Sequence, residues 1–164
     1  MVPILSIVGR SNSGKTTLIE GLVLELVSLG YRIGTIKHHF HGDFEIDQEG
    51  KDSWRHAQAG AVTVVLSSPT QLAVIRKMNS EMGVHEITGM LGDVDIVLTE
   101  GFKKGPFSKI EVNRAAQDVA LLCEPGDDLI AVVTDRDLAL WMPSFGLNDY
   151  AELADFIEGK FLQR

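Results

Sequence analysis

The stretch Gly9–Thr17, which reads GRSNSGKTT, matches the phosphate-binding pattern G-x-x-x-x-G-K-S/T. Glycines in such a loop let the backbone curl, so that successive N–H groups point inward at phosphate oxygens. The N-terminus of a following helix adds partial positive charge at the same place. The pattern therefore predicts a site for the phosphate chain of a nucleotide. Its candidate binding residues are Gly9, Arg10, Ser11, Asn12, Ser13, Gly14, Lys15, Thr16 and Thr17.

Two side chains of this pattern, and one carboxylate beyond it, are candidates for the chemistry. Lys15 is expected to reach the β- and γ-phosphates and is a candidate catalytic residue, while Thr16 is expected to place its hydroxyl on Mg²⁺. Mg²⁺ prefers oxygen ligands, so a nearby carboxylate is expected. The apolar run Asp93–Gly101 supplies Glu100 at its carboxyl end, the edge at which open α/β sheets bind ligands. Thr16 and Glu100 are thus the predicted metal ligands, and Asp95, at the opposite end of that run, is the weaker candidate.

Two further acids are candidate nucleotide contacts. Asp47 lies in a segment that could respond to the γ-phosphate and could orient an attacking water, which makes it a second candidate catalytic residue; a solvated turn is the alternative. Asp135 ends a predicted strand, where its carboxylate could accept the N1–H and N2–H groups of guanine or could be an exposed turn acid. Asp137 is a rival for that role. The chain contains no N-K-x-D motif, so no motif selects guanine over adenine.

A cluster of histidines follows the second predicted strand. His38, His39 and His41 fall within four positions, beside Asp43 and Asp47. Such a group could bind zinc or nickel, or its imidazoles could contact an anionic ligand. The chain has a single cysteine and no H-x₃₋₅-H spacing, so nothing in the sequence supports a structural zinc site.

Composition limits the classes of partner. The 164 residues include 15 Lys and Arg against 23 Asp and Glu, a formal charge of −8 that argues against a broad nucleic-acid surface. Lys37, Lys103 and Lys104 could still form a local positive rim for a phosphorylated ligand, although lysines are ordinary surface residues. The lone Cys123 fits a reducing compartment. No apolar run approaches the roughly 20 residues that cross a bilayer, and we expect a cytoplasmic protein with no membrane partner.

The order of elements predicts an α/β fold: a mainly parallel, twisted sheet with helices on both faces, as in P-loop NTPases, and an antiparallel hairpin at its edge. We expect one nucleotide-binding domain over residues 1–164. The predicted strands are Pro3–Gly9, Tyr31–His38, Asp93–Gly101, Ser108–Arg114 and Leu129–Asp135, with a hairpin that turns at Ser67–Thr70. The predicted helices are one after the phosphate loop, which Gly30 ends, and Asp52–Gly60, Ser80–Leu91 and Asn148–Phe161.

Four stretches together resemble the molybdopterin-guanine dinucleotide biosynthesis protein B (MobB) family. They are GRSNSGKTTL, TIKHHFH, DQEGKDSWRHAQAGA and DIVLTEGFKKGPFSKIEVNR, and the resemblance covers essentially the whole chain. It implies a GTP-binding, dimeric P-loop protein that uses GTP and Mg²⁺ as cofactors. The implied partner is the guanylyltransferase that attaches GMP to molybdopterin, and molybdopterin or its dinucleotide is a further candidate ligand. The implied function is accessory, with at most slow GTP hydrolysis.

Two other functions use the same residues. A small-molecule kinase would donate phosphate from the same loop, but such enzymes often close an arginine-rich lid over the site, and the sequence has no obvious one. A metal-delivery GTPase would use the histidine cluster. Lys109 and Arg114 bracket a short strand, and their alternation alone predicts only that they lie beside the sheet.

Overall fold

The computed structural model describes residues 1–39, 44, 46–117, 120–124, 126–138 and 140–162. These residues form two compact units: Met1–His38 with Val84–Arg164, and His39–Gly83. The expectation of one domain over residues 1–164 stays a prediction.

The elements follow the predicted alternation of strands and helices. The strands are β1 Ile4–Gly9, β2 Ile33–Lys37, β3 Thr63–Ser67, β4 Leu72–Arg76, β5 Ile96–Glu100, β6 Ser108–Asn113, β7 Leu129–Thr134 and β8 Ser144–Phe145. The helices are α1 Lys15–Ser28, α2 Asp52–Gln58, α3 Val84–Thr88 and α4 Tyr150–Phe161, with a short 3₁₀ helix at Ala115–Gln117.

The first unit is built on a six-stranded sheet in the order β2-β5-β1-β6-β7-β8. Every neighbouring pair in it is parallel. The strand β1 is therefore central, with β5 on one side and β6 on the other. The predicted mainly parallel sheet is confirmed, and this order places the carboxyl ends of β1, β5 and β6 at one edge.

Apolar side chains cover both faces of this sheet, as expected for parallel strands. On one face, alternate residues of β1 such as Leu5 and Ile7 pack with the i, i+4 stripe Leu18, Leu22 and Leu26 of α1 and with α4. On the other face, a smaller cluster includes Ile4, Ile36, Val84 and Val97. Helices on both faces were predicted and are present, although α3 covers only part of the second face.

The second unit contains α2 and an antiparallel hairpin formed by β3 and β4, whose register runs from Thr63 opposite Arg76 to Ser67 opposite Leu72. The turn is held by Ser68, whose Oγ accepts hydrogen bonds from the backbone N–H groups of Thr70 and Gln71 at 3.3 and 2.9 Å. The predicted hairpin is therefore confirmed, but it was expected at the edge of the parallel sheet and instead forms a two-stranded sheet of its own, in which β3 and β4 pair with each other.

Two elements differ from the prediction. The helix expected over Ser80–Leu91 is helical only at Val84–Thr88, because Gly83 and Gly89 flank it and glycine is a poor helix former. The strand β8 has two residues and carries no sequence pattern of its own. In the described part of the chain, no helix combines the length and the hydropathy that crossing a membrane requires.

Candidate functional site

The predicted phosphate loop connects β1 to α1 at the carboxyl edge of the six-stranded sheet. Two features let the backbone turn so tightly: Asn12 and Gly14 both adopt positive φ, 59° and 100°. Gly14 is the residue that precedes the helix, and its carbonyl accepts the N–H of Leu18 at 2.9 Å. The first N–H groups of α1 therefore lie directly after the loop, the arrangement that favours an anion.

Gly9 is required by close packing at the base of the loop. A Cβ at this position would lie 2.6 Å from the Val112 carbonyl oxygen and 2.7 Å from Ser13 Oγ. Both distances are shorter than real Cβ contacts, so a side chain would push the loop away from β6. Ser13 is fully buried, and its hydroxyl has no hydrogen-bond partner among the described residues.

Lys15 folds back over its own loop. Its Nζ donates a hydrogen bond to the carbonyl oxygen of Arg10 at 2.8 Å, which places the ammonium above the loop. Burial lowers the pKa of Lys15 below its ordinary value; the Glu100 carboxylate raises that pKa, and Lys37 lowers it. An anion bound in the loop would stabilise the charged form that burial disfavours.

The two predicted metal ligands lie together. Thr16 Oγ1 is 3.2 Å from each Glu100 carboxylate oxygen and donates a hydrogen bond to the carboxylate. Lys37 Nζ, from the end of β2, lies 3.3 Å from Glu100 Oε2 and balances its charge. A hydroxyl and a carboxylate are the hard oxygen donors that Mg²⁺ takes, with phosphates and water completing its shell. The pair therefore fits Mg²⁺, and its role as a metal site stays a prediction.

The weaker candidate, Asp95, directly precedes β5, at the end of the strand opposite Glu100. It accepts a hydrogen bond from the backbone N–H of Arg32 at 2.8 Å and pairs with the guanidinium of the same residue. These contacts explain Asp95 as part of a surface ion pair, and Asp93 also pairs with Arg32. Among the described residues, no group of three His, Cys, Asp or Glu side chains could hold a metal ion.

The phosphate loop and Glu100 line a cavity of about 460 Å³ at the carboxyl edge of the sheet. One acid and three cations share this small space, which suits a polyanion accompanied by a divalent metal. Two of the cations come from outside the loop: Lys37 ends β2, and Arg114 directly follows β6. The lining residues are Ser11, Asn12, Gly14, Lys15, Thr16, Thr17, Lys37, Glu100 and Arg114.

Arg114 is the member that sequence reasoning left without a role. It directly follows β6, and its Nε donates a hydrogen bond to the carbonyl oxygen of Ser13 at 3.1 Å. Nearby, Gln117 Nε2 donates to the carbonyl oxygen of Ser11 at 2.8 Å. The sequence predicts that Arg114 lies at the end of a strand, but only the strand order shows that this strand, β6, lies beside β1.

Asp135 lies immediately after β7, on the same side of β1 as β6. Its Oδ1 accepts the backbone N–H of Ala115 at 2.6 Å and so fixes the start of the 3₁₀ helix. Asp135 and Asp137 are both exposed. The contact to Ala115 accounts for one oxygen of Asp135, and the role of this residue in reading a base stays a prediction.

Asp47 belongs to the second unit. Its Oδ1 accepts hydrogen bonds from the backbone N–H of Gln48 and from Ser53 Oγ, both at 2.9 Å. Within that unit it lines a cavity of about 630 Å³ together with Lys51 and His56. Its predicted part in orienting water stays a prediction.

The histidine cluster is described only in part. Within the first unit, the ring centroids of His38 and Phe102 are 4.6 Å apart, with the planes tilted by 34°. Within the second, the ring centroids of His39 and Phe44 are 6.0 Å apart. His41 and Asp43 lie outside the described residues. The aromatic contact of His38 favours packing at the end of β2.

Known proteins are similar to this chain in both sequence and fold. The sequence model of the MobB family, described as molybdopterin guanine dinucleotide synthesis protein B, matches residues 4–135. A molybdopterin-guanine dinucleotide biosynthesis adapter protein of Haemophilus influenzae is 35% identical over 159 residues, which are 96% of this chain and 88% of that protein. The protein of the same description from Escherichia coli is 32% identical, over 96% of this chain and 92% of its own length.

Solved structures agree in fold. A crystal structure of molybdopterin-guanine biosynthesis protein B is 34% identical and covers 96% of this chain and 99% of its own, with a TM-score of 0.76. The structure of Bacillus subtilis MobB is 27% identical, covers 99% of both chains and has a TM-score of 0.79. The family model matches residues 4–135, and the two relatives and the two structures each match at least 96% of the chain. The chain therefore belongs to the MobB family.

Proposed function

We propose that this chain is a GTP-binding adapter protein in molybdopterin-guanine dinucleotide biosynthesis. It works in the cytoplasm beside the guanylyltransferase that attaches GMP to molybdopterin. The observation that carries the proposal is the single cavity that unites the phosphate loop, Lys15 and the Thr16–Glu100 pair. Membership of the MobB family, and the adapter role named for the relatives, supply the biosynthetic context.

Each residue of the cavity has a part in nucleotide capture. The loop N–H groups and the N-terminus of α1 bind phosphate oxygens, and Lys15 leaves the Arg10 carbonyl to bind the β- and γ-phosphates. Thr16 and Glu100 hold Mg²⁺, which supplies charge neutralisation for the phosphate chain when bound. With Glu100 engaged by Mg²⁺, the ammonium of Lys37 would be available to contact phosphate.

Hydrolysis in this proposal is slow. Among the described residues that line the cavity, Glu100 is the only acid, and it is the proposed ligand of Mg²⁺. Asp47 is the residue proposed to orient an attacking water. A bound, slowly hydrolysed nucleotide suits an adapter that supports a partner's chemistry.

Base selection and assembly complete the proposal. Asp135 accepts guanine N–H groups through Oδ2, since Oδ1 accepts the backbone N–H of Ala115. The apolar residues exposed on the hairpin form the contact of a homodimer, since two strands with apolar side chains in water are a ready pairing surface. Molybdopterin or its guanine dinucleotide is the further ligand, bound in the assembly with the guanylyltransferase.

The test is calorimetric titration of the full chain with GTP and with ATP, each with and without Mg²⁺. We expect GTP to bind more tightly than ATP. Lys15→Ala should weaken GTP binding by about 100-fold, because it removes a charge-assisted hydrogen bond to phosphate. Lys160→Ala, on α4, is the matched control and should leave affinity unchanged.

A second variant separates the metal from the loop. Glu100→Gln should leave metal-free GTP binding in place while it removes most of the gain that Mg²⁺ provides. Failure of the wild-type chain to bind any nucleoside triphosphate would refute the proposal. Tighter binding of ATP than GTP, with ADP formed on addition of an acceptor, would favour a small-molecule kinase instead.

A further inference from the structure

The phosphate loop is flanked by charged residues on two sides of β1. On the β5 side, Glu100 is shared by Thr16 and Lys37. On the β6 side stands Arg114 alone, and among the described residues no carboxylate forms an ion pair with it. Among the described residues that line the cavity, the only acid, Glu100, pairs with Lys37 on the β5 side, and Arg114 is the cation on the β6 side.

The guanidinium of Arg114 lies along the last peptide of the loop. Its Nε donates to the Ser13 carbonyl oxygen at 3.1 Å, and its Nη2 is 3.4 Å from the place that a Cβ on Gly14 would take. The hydrogen bond uses one of five guanidinium N–H groups. The other four point from a fixed, planar fork, the geometry that binds phosphate oxygens in pairs.

The backbone that carries Arg114 is also fixed. The N–H of Gln117 donates to the Arg114 carbonyl oxygen at 3.0 Å, and Asp135 Oδ1 accepts the N–H of Ala115 at 2.6 Å. The side chain of Gln117 adds a second bond to the loop, at the Ser11 carbonyl oxygen. A cation held this firmly loses little conformational entropy when a ligand arrives.

We propose that Arg114 is a phosphate-binding residue that contacts the part of the phosphate chain common to nucleoside diphosphates and triphosphates. This inference rests on the proposed nucleotide binding. Lys15, Thr16 and the metal act on the β- and γ-phosphates from the β5 side. We place the remaining phosphate, next to the nucleoside, toward β6 and β7, where Arg114 supplies a cation from outside the loop.

The experiment compares GDP and GTP binding by calorimetry for Arg114→Gln, Arg114→Lys and Gln117→Ala. Arg114→Gln keeps a donor that can reach the loop but removes the charge, and we expect it to weaken both nucleotides by about 10- to 100-fold, in equal ratio. Arg114→Lys should recover part of the loss. Gln117→Ala removes an uncharged bond to the same loop and should change affinity by less than about threefold.

The dependence of affinity on salt distinguishes a phosphate contact from a brace. Removal of a cation that touches phosphate makes binding less sensitive to salt, whereas loosening of the loop does not. We therefore expect a flatter salt dependence for Arg114→Gln and an unchanged one for Gln117→Ala. Thermal melts of all three variants report on folding.

Several results would overturn the inference. Affinity of Arg114→Gln within twofold of wild type would exclude a phosphate contact, and so would equal losses in Arg114→Gln and Gln117→Ala with unchanged salt dependence. A loss confined to GTP would move the contact to the γ-phosphate. In each case the wild-type chain still binds nucleotide; absence of wild-type binding would instead refute the proposed function.

Discussion

The six-stranded sheet and the two-stranded hairpin use apolar side chains in contrasting ways. In the large sheet, Leu5, Ile7 and Leu98 are completely buried under helices. In the hairpin, Leu72 is 68% exposed and Val65 is 54% exposed, although both strands are as rich in β-branched and apolar residues as the buried ones. The same kind of sequence therefore gives a closed core in one unit and an open surface in the other.

The difference comes from what each sheet has to pack against. In the large sheet, α1 in the connection from β1 to β2 and α4 after β8 cover the buried face. A hairpin brings only a turn, and a lone two-stranded sheet is marginally stable in water. The candidate nucleotide site lies on the unit with the large buried core, and the exposed apolar surface of the hairpin lies on the other.

Truncation of a leucine in each sheet should show the largest effect. Leu98→Ala leaves a cavity among fully buried neighbours and should lower the free energy of unfolding by about 2–5 kcal/mol. Leu72→Ala, at an exposed position, should cost less than about 0.5 kcal/mol in the monomer. Urea unfolding at low protein concentration measures both. Equal losses would mean that the hairpin is packed in the free chain and would break the comparison.

A charge on the hairpin should have the next largest effect, on assembly. If the exposed apolar residues form the proposed homodimer contact, Leu72→Glu should weaken dimerisation by about tenfold or more, because it buries an unpaired charge. Gln71→Glu adds the same charge one position earlier and is the control. Sedimentation across micromolar concentrations measures the change. A wild-type monomer, or a dimer indifferent to Leu72→Glu, would remove the hairpin as the interface.

The smallest effect concerns the interior of the first unit at alkaline pH. Burial raises the pKa of the Cys123 thiol from 9.0 to about 12, and the Glu111 carboxylate adds to the rise. Above about pH 9 the unfolded chain releases this proton and the folded chain keeps it, so stability falls as pH rises toward 12. Wild type should therefore lose melting temperature more steeply than Cys123→Ala between pH 8 and 10.5. Parallel curves would contradict the buried thiol.

The sequence was most informative where a local pattern fixes the geometry. The loop Gly9–Thr17 required a strand before it and a helix after it, and both are present. Glu100 could be chosen over Asp95 because the carboxyl ends of parallel strands share an edge. The Thr16–Glu100 contact at 3.2 Å follows from that rule, although the two residues are 84 positions apart.

What the sequence could not predict depends on strand order. Arg114 enters the cavity because β6 lies directly beside β1, on the side opposite β5, and alternation within β6 carries no record of its neighbour. The two residues of β8 are too few for a periodic signal, since they pair through backbone groups that every residue has. The shortened helix at Val84–Thr88 reflects flanking glycines that a broad apolar pattern concealed.

The central place of β1 has a consequence for how the chain is made. Its neighbours β5 and β6 come late in the sequence: the hydroxyls of Ser6 and Thr99, bonded at 2.9 Å, are 93 positions apart. At about 5–20 residues per second, translation leaves β1 without either partner for roughly 5–20 seconds. The strand that leads into the phosphate loop is thus unpaired until β5 and β6 are made, and during that interval its two open edges are available to neighbouring chains.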